Sequence, residues 1–347
     1  MSDLLNLTIN QQNKLIKESK ISCEELVQET INHIKKYDEE INSIINFDER
    51  SAIDNAKNID KKISDNEIKI GPLTGLPVLL KDNISTKNIE TTAGSKILKG
   101  YIPPYNSYVT EKIMKENGIL IGKGNLDEFA MGSSNENSFF GNVKNPWDKR
   151  RVPGGSSGGP AAAVSAGFAS YSLGSDTGGS IRQPASLCGV SGMKPTYGLV
   201  SRYGLIAFAS SLDQIGPIAR SAEDCGEILN VISGKDINDS TSIKKDFGDF
   251  NKYINNSVKN LKIGVPREYV DNVDSEIKES FQESIKKFSG LGAEIVDLSL
   301  PLTEYALDVY YIIAPSEASS NLSRFDGVKY GYRSSKGDTA QENMSLS

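Results

Sequence analysis

The chain has 347 residues, 37% hydrophobic and 24% charged, the composition of an ordinary globular protein with one large or two smaller domains. Its net charge of −6 argues against a protein that binds nucleic acid mainly through its own surface. Its three cysteines are far apart and form no C-x-x-C pair, so zinc clusters and redox motifs are disfavoured and no metal site is predicted.

The N-terminal stretch has no basic segment followed by a long apolar one, so no secretory signal is predicted. The apolar runs are far shorter than the ~20 residues of a membrane helix. We therefore expect a cytoplasmic location.

The first predicted part, residues 1–65, is polar and helical. Ser22 and Glu25 form a capping-box pattern at the start of one helix. The single histidine, His33, follows on that helix and is interpreted as a surface residue. A Ser-His-Asp triad would have to use it, from a segment with no other catalytic feature, so histidine-based catalysis is disfavoured.

The second part, residues 66–235, is predicted to be the catalytic core. Its apolar run Val78–Leu80 predicts a buried strand, and a helical segment then leads to a second buried strand in "ILIG". Strand, helix and strand in this order predict a parallel pair with a helical crossover. Residues 236–347 continue the alternation, so we predict a single α/β domain made of these three parts.

Two Gly-Ser stretches, "VPGGSSGGPAAA" and "GSDTGGSIRQPAS", form the most unusual feature of the core. They could be ordinary turns, a phosphate-binding loop or a nucleophile loop. Neither stretch has the lysine of a P-loop or the glycine spacing of a dinucleotide fingerprint, which disfavours nucleotide binding.

The nucleophile hypothesis needs a hydroxyl, a base and an oxyanion hole. Ser180 supplies a hydroxyl framed by glycines, which let backbone N–H groups converge on one point. Because histidine is scarce, the base is predicted to be Lys81. Burial at the end of a strand would lower the pKa of its side chain. Ser156 could relay the proton. The alternative for Lys81 is a structural salt bridge to Asp82 or another carboxylate.

At these residues the sequence resembles the amidase signature family, in "GLPVLLKDNI", "PGGSSGGPAAAV" and "GSDTGGSIRQPASLCGVSGMKPTYGLVS". The resemblance implies a Ser-cisSer-Lys triad in which Lys81 is the base, Ser156 the bridging cis serine and Ser180 the nucleophile. It implies a mixed, mostly parallel sheet covered by helices on both faces, with N-terminal helices. It also implies an oxyanion hole formed by the backbone N–H groups of Thr177, Gly178, Gly179 and Ser180.

Longer segments, such as "GNLDEFAMGSSNENSFFG" and "SEASSNLSRFDGVKYGYRS", are similar to the tRNA-dependent amidotransferase branch of that family. This implies a glutaminase that supplies ammonia for converting Glu-tRNA(Gln) to Gln-tRNA(Gln). It also implies a heterotrimer with the B and C subunits of that enzyme, no cofactor in this chain, and ATP and Mg²⁺ on the partner that handles the tRNA.

The resemblance further implies that Met131, Gly132 and one of Tyr310 and Tyr311 approach the substrate. Pro160 replaces a serine usual in the family, but proline suits the first turn of the helix expected there. The family extends beyond the position of residue 347, so the residues that hold glutamine, an arginine and an acidic residue, are expected outside this sequence.

Two other functions stay open at this point. A stand-alone amidase acting on another small amide would share every catalytic residue, and purification with or without partner proteins would distinguish it. A non-catalytic scaffold could keep the fold, although the complete Lys81, Ser156 and Ser180 set argues against it.

Overall fold

The computed structural model describes residues 3–245 and 247–346. The chain divides into two compact units, the first formed by residues up to Phe250 and from Glu317 onward, the second by Asn251–Ser316. The three-part division predicted from the sequence stays a prediction.

Helices and strands alternate along the described chain. The α-helices are α1 (Ile9–Lys17), α2 (Cys23–Ile41), α3 (Glu49–Ser64), α4 (Tyr108–Lys115), α5 (Gly158–Ala166), α6 (Arg182–Leu187), α7 (Ala222–Ile232), α8 (Ser275–Gly290), α9 (Ala306–Leu322) and α10 (Ala340–Leu346). The strands are β1 (Ile44–Phe47), β2 (Pro77–Lys81), β3 (Ile119–Gly124), β4 (Tyr171–Asp176), β5 (Ser191–Gly192), β6 (Gln214–Ala219), β7 (Lys262–Pro266) and β8 (Glu294–Leu298).

Local side-chain caps fix where several helices begin. The predicted capping box is confirmed at α2, where the Ser22 side chain accepts from the Glu25 N–H and the Glu25 carboxylate accepts from the Ser22 N–H. Ser221 caps α7 by accepting from the Asp224 N–H.

The first unit contains a six-stranded sheet in the order β1-β3-β2-β4-β6-β5. Strands β3, β2 and β4 are parallel, and the pairings outside them are antiparallel. The predicted α/β fold with a mixed sheet is therefore confirmed, with its parallel part confined to these three central strands.

Strand β1 was not predicted, because residues 1–65 were expected to be helical. Ile44–Phe47 pairs antiparallel with β3 at the edge of the sheet, and its four residues are all half-buried. A strand this short, without buried and exposed residues in alternation, carries little local signal. Its pairing partner lies about 75 residues further along the chain.

Two hydrophobic clusters sandwich this sheet. Val78 and Leu80 of β2 belong to one cluster, with side chains of α2, α4 and α7, whereas Leu79 belongs to the other, with the alanines of α5. Because side chains alternate between the two faces of a strand, Lys81 is placed on the same face as Leu79, towards α5.

The second unit contains the parallel pair β7 and β8, joined through α8. This agrees with the continued alternation of helices and strands predicted for residues 236–347. Among the helices of the described residues, none combines the length and apolar character needed to cross a bilayer.

Candidate active site

The carboxyl ends of the parallel strands bring the predicted residues together. Lys81 is the last residue of β2, and Ser175 and Asp176 end the neighbouring strand β4. Ser156 lies just before α5, which packs on the same face of the sheet as Leu79. Residues far apart in sequence therefore meet at one edge, as in other open α/β sheets.

The side chain of Lys81 is completely buried among hydroxyl and carbonyl oxygens. Its Nζ lies 2.7 Å from Ser156 Oγ, 2.9 Å from Ser175 Oγ and 3.3 Å from Ser175 O. The peptide bond between Gly155 and Ser156 is cis. A neutral amine has two N–H donors and one lone pair, so it can donate to both Ser175 oxygens and accept from the Ser156 hydroxyl.

Burial lowers the pKa of Lys81 to about 7, although Asp127, Asp176 and Asp213 act in the opposite direction. The salt bridge considered as an alternative is wrong for Asp82, whose Oδ1 lies 3.7 Å from Lys123 Nζ instead. Within the described chain, Lys81 has no carboxylate within 4 Å, so its environment favours the neutral amine.

The segment that carries Ser180 is held by Asp176. Asp176 Oδ1 accepts from the Gly179 N–H at 2.9 Å, Oδ2 accepts from the Ile181 N–H at 3.1 Å, and Arg182 donates to both oxygens. The Ser180 carbonyl accepts from the Ser157 N–H at 3.0 Å, which joins this loop to the cis-serine segment.

Of the four N–H groups in the predicted oxyanion hole, that of Gly179 already donates to Asp176. An incoming oxyanion would compete with Asp176 for the Gly179 N–H. For the N–H groups of Thr177, Gly178 and Ser180, the described residues supply no hydrogen-bond partner. The Thr177 hydroxyl donates to Asp213 at 2.6 Å and so fixes the start of the loop. The oxyanion role of these three N–H groups stays a prediction.

The residues predicted to approach the substrate lie in different parts of the structure. Gly132 packs on the cis-serine segment, because a Cβ added to it would lie 3.2 Å from Ser156 N. Met131, beside it, is exposed. Tyr310 and Tyr311 lie on α9 in the second unit, and their contact with substrate stays a prediction.

His33 is half-buried rather than a surface residue of α2. Its Nε2 lies 2.9 Å from the Ala166 carbonyl oxygen at the C-terminal end of α5, and its ring packs against Tyr37 and Phe168. None of these partners belongs to the Lys81–Ser156 pair. Pro160 lies in the first turn of α5, as predicted.

The sequence interpretation missed two residues of the site, Ser175 and Asn83. Ser175 Oγ accepts from Asn83 Nδ2 at 3.0 Å and contacts Lys81 Nζ. Asn83 lies two residues after the end of β2, in "LLKDN", and Ser175 is the last residue but one of β4, in "LGSD". Polar residues at such strand ends are the signal that could have identified them.

The comparisons with known proteins agree with this geometry. Residues 25–346 match the amidase family. The chain belongs to the amidase family. Its amidase relatives include the A subunit of the glutamyl-tRNA(Gln) amidotransferase of Thermoanaerobacter pseudethanolicus, 55% identical over 335 residues, which are 96% of this chain and 68% of that protein.

Two solved amidase-family structures have the same fold. The A subunit of the glutamyl-tRNA(Gln) amidotransferase of Thermotoga maritima has a TM-score of 0.82 and 46% identity, covering 92% of this chain and 67% of its own. The peptide amidase of Stenotrophomonas maltophilia has a TM-score of 0.84 and 28% identity, with the same two coverages, 92% and 67%. This amidase-family chain thus spans about two thirds of each.

Proposed function

We propose that this chain is the glutaminase component of a tRNA-dependent amidotransferase. The observation that carries the proposal is the 2.7 Å contact between Lys81 Nζ and Ser156 Oγ, in a completely buried site beside the glycine-framed Ser180 loop. The identity of 55% to the A subunit of a glutamyl-tRNA(Gln) amidotransferase supports the choice of glutamine as substrate.

In the acylation step, Ser180 Oγ attacks the side-chain amide carbon of glutamine. The Ser180 proton moves to Ser156 Oγ while the Ser156 proton moves to the lone pair of Lys81 Nζ. The negative charge that forms on the amide oxygen is bound by the N–H groups of Thr177, Gly178 and Ser180. Lys81 must be neutral beforehand, which its lowered pKa of about 7 allows.

In the second half of the reaction, the proton returns from Lys81 through Ser156 to the amide nitrogen, and ammonia leaves. A water molecule then attacks the acyl carbon and loses its proton along the same relay. As the bond to Ser180 Oγ breaks, the proton returns from Lys81 through Ser156 to Ser180 Oγ. Glutamate is released, and both the Ser180 hydroxyl and the neutral lysine are restored.

The amidotransferase relatives are subunits, so this chain works within a multi-subunit amidotransferase. In our proposal its partners are the B and C subunits of a heterotrimer in the cytoplasm. The B subunit binds Glu-tRNA(Gln), ATP and Mg²⁺ and uses the ammonia to form Gln-tRNA(Gln), and this chain itself needs no cofactor. The net charge of −6 fits a protein that leaves tRNA binding to its partner.

The test is ammonia release from glutamine by the chain in complex with its partners. We expect glutamine-dependent ammonia and glutamate in equal amounts, with no release after Ser180→Ala. Release from other small amides but not from glutamine, by a chain that purifies alone, would instead identify a stand-alone amidase. A folded wild-type complex that releases ammonia from neither substrate class would contradict both.

A further inference from the structure

Asp127 is a completely buried carboxylate close to the site, three residues after the end of β3. Its Oδ2 accepts from the Asn135 N–H at 2.9 Å, and its Oδ1 lies 3.4 Å from the Asn137 N–H. These bonds fasten the pocket loop, which we define as residues 131–137. Met131 and Gly132, at the start of this loop, are predicted to approach the substrate.

The same carboxylate lies against the cis-serine segment. A Cβ added to Gly155 would come within 2.1 Å of Asp127 Oδ2 and 2.9 Å of Asn135 N. Real Cβ atoms do not approach other atoms so closely, so only glycine fits at this position. Asp127 therefore contacts the residue directly before Ser156 and the pocket loop at once.

Asn135 makes a second link between the pocket loop and Ser156. It is completely buried, and its Oδ1 accepts from the Gly159 N–H in the first turn of α5 at 3.2 Å. Its backbone has a φ of 64°, a left-handed conformation that asparagine tolerates. Asp127 and Asn135 thus hold the pocket loop to both sides of Ser156.

Asp127 also acts on Lys81 through its charge. Three carboxylates oppose the effect of burial on the pKa of Lys81, with Asp127 the largest contributor, followed by Asp176 and Asp213. The charge of Asp176 is neutralised by Arg182, whose Nη2 lies 2.9 Å from Asp176 Oδ1. The described partners of Asp127 are backbone N–H groups instead, so its carboxylate has no arginine partner like that of Asp176, and burial raises its own pKa.

We propose that Asp127, together with Asn135, is a positioning residue that couples the pocket loop to the Lys81–Ser156 pair. One carboxylate fixes the loop that receives the amide and sets the balance of charge around the general base. The inference deepens the proposed function, on which it rests for the role of Lys81 as base.

The test compares Asp127→Asn with wild type in the full chain. The protonation of Lys81 is followed by NMR of the ¹³Cε-labelled lysine side chain across pH, and the signal is assigned by its loss in Lys81→Arg. Because Asp127→Asn removes a charge that favours the ammonium, Lys81 should titrate at lower pH. An unchanged Lys81 titration in the folded variant would overturn the proposal.

Asp38→Asn is the matched control. Asp38 is also a buried carboxylate that accepts backbone N–H groups, from Ser43 at 2.9 Å and Ile44 at 3.2 Å, but it is not among the groups acting on Lys81. It should leave the Lys81 titration unchanged. An equal shift in Asp38→Asn would show a general loss of packing and would also overturn the proposal.

Asn135→Gly tests the link between the pocket loop and α5 without removing a charge. It also provides a second test if Asp127→Asn does not fold. Glycine keeps the N–H to Asp127 and suits the left-handed backbone, but it loses the acceptor for Gly159. Lys81 should titrate as in wild type, whereas the rate at which a fluorophosphonate labels Ser180 should fall about tenfold or more. If the folded variant were labelled at the wild-type rate, the link through Asn135 would not position Ser180.

The titration and the proposed function can fail separately. The NMR titration reports on Lys81 whether or not glutamine is hydrolysed. A wild-type complex without ammonia release would therefore count against the proposed function alone, while an unmoved Lys81 in Asp127→Asn counts against this inference alone.

Discussion

At the scale of single residues, the environment of Lys81 favours the neutral amine that its proposed role as base requires. Burial disfavours its ammonium form, and three carboxylates only partly compensate, so its pKa falls from 10.5 to about 7. A change of this size corresponds to about 4–5 kcal/mol of bias against the charged form. The contacts with Ser156 and Ser175 then direct the lone pair and the two N–H groups.

The first prediction concerns the pH dependence of this base. The neutral amine is the active form, so the rate of glutamine hydrolysis should rise with pH through about 7 and level off above it. Lys81→Arg should lose nearly all activity across this range, because a guanidinium stays protonated. Steady-state rates between about pH 5.5 and 9, on either side of that pKa, with circular dichroism to check folding, would test it. A folded Lys81→Arg enzyme with near-normal activity would exclude the neutral-lysine mechanism.

The second prediction concerns His33, whose ring contacts the end of α5 and not the Lys81–Ser156 pair. His33→Ala should reduce the glutaminase rate less than tenfold, and it should lower stability by about 1 kcal/mol through the lost hydrogen bond. Rate and urea-unfolding measurements on the same preparation separate the two effects. A thousandfold loss of rate would show that the catalytic residues are misassigned.

At the level of elements, α5 positions Ser156 through its close approach to the sheet. Gly159 in its first turn has no room for a side chain, because an added Cβ would lie 2.4 Å from Asn125 O and 2.5 Å from Ser43 O. These are backbone atoms of residues that flank β3 and β1, and they cannot move independently of the strands. The glycine-rich stretch before the alanine run thus has a packing role at Gly159, besides the catalytic role that we propose for Ser156.

The third prediction follows from that contact. Gly159→Ala should destabilise the fold by about 1–3 kcal/mol, as overpacking does. The control is Gly290→Ala at the end of α8, where an added Cβ meets nothing within 4 Å. That variant should be as stable as wild type or slightly more stable, because alanine favours a helix. Urea unfolding compares the two, and equal midpoints for both variants would contradict the close packing.

At the level of the whole molecule, every residue of the proposed triad lies in the first unit. The second unit, Asn251–Ser316, contains the strand–helix–strand arrangement of β7, α8 and β8. Our proposal therefore assigns ammonia production to the first unit, and amide formation on the tRNA to a partner protein.

The fourth prediction uses this division of labour. In the assembled complex, Ser180→Ala should abolish glutamine-dependent formation of Gln-tRNA(Gln) but keep the activity supported by free ammonium, which bypasses the site. Ser165→Ala is the control, because it also removes a serine hydroxyl, which donates to the Cys188 carbonyl oxygen at 2.7 Å. This variant should keep both activities. Product would be measured as aminoacyl-tRNA with each nitrogen source. Persisting glutamine-dependent product in Ser180→Ala would remove Ser180 from its role.

Much of this architecture follows from local patterns of the sequence. The caps at Ser22 and Ser221, the apolar run Val78–Leu80 and the strand–helix–strand order after residue 260 each depend on neighbouring residues alone. The scarcity of histidine and the glycine-framed serines were enough to predict a lysine base and a serine nucleophile. Such features are readable because capping, periodicity and residue chemistry act over a few positions.

The tertiary structure alone decided which distant groups meet. Strand β1 forms only because β3 pairs with it. Asp82 directly follows β2, and its Oδ1 lies 3.7 Å from Nζ of Lys123 on the neighbouring strand β3, whereas Lys81 contacts Ser156 and Ser175. Asp127 gains its place beside Gly155 through a loop whose course no short pattern specifies. The burial of a side chain and the charges around it depend on all the segments that folding brings together. The role of Lys81 as a base could therefore be suggested by its position in the sequence, whereas the groups that surround it are known only from the tertiary structure.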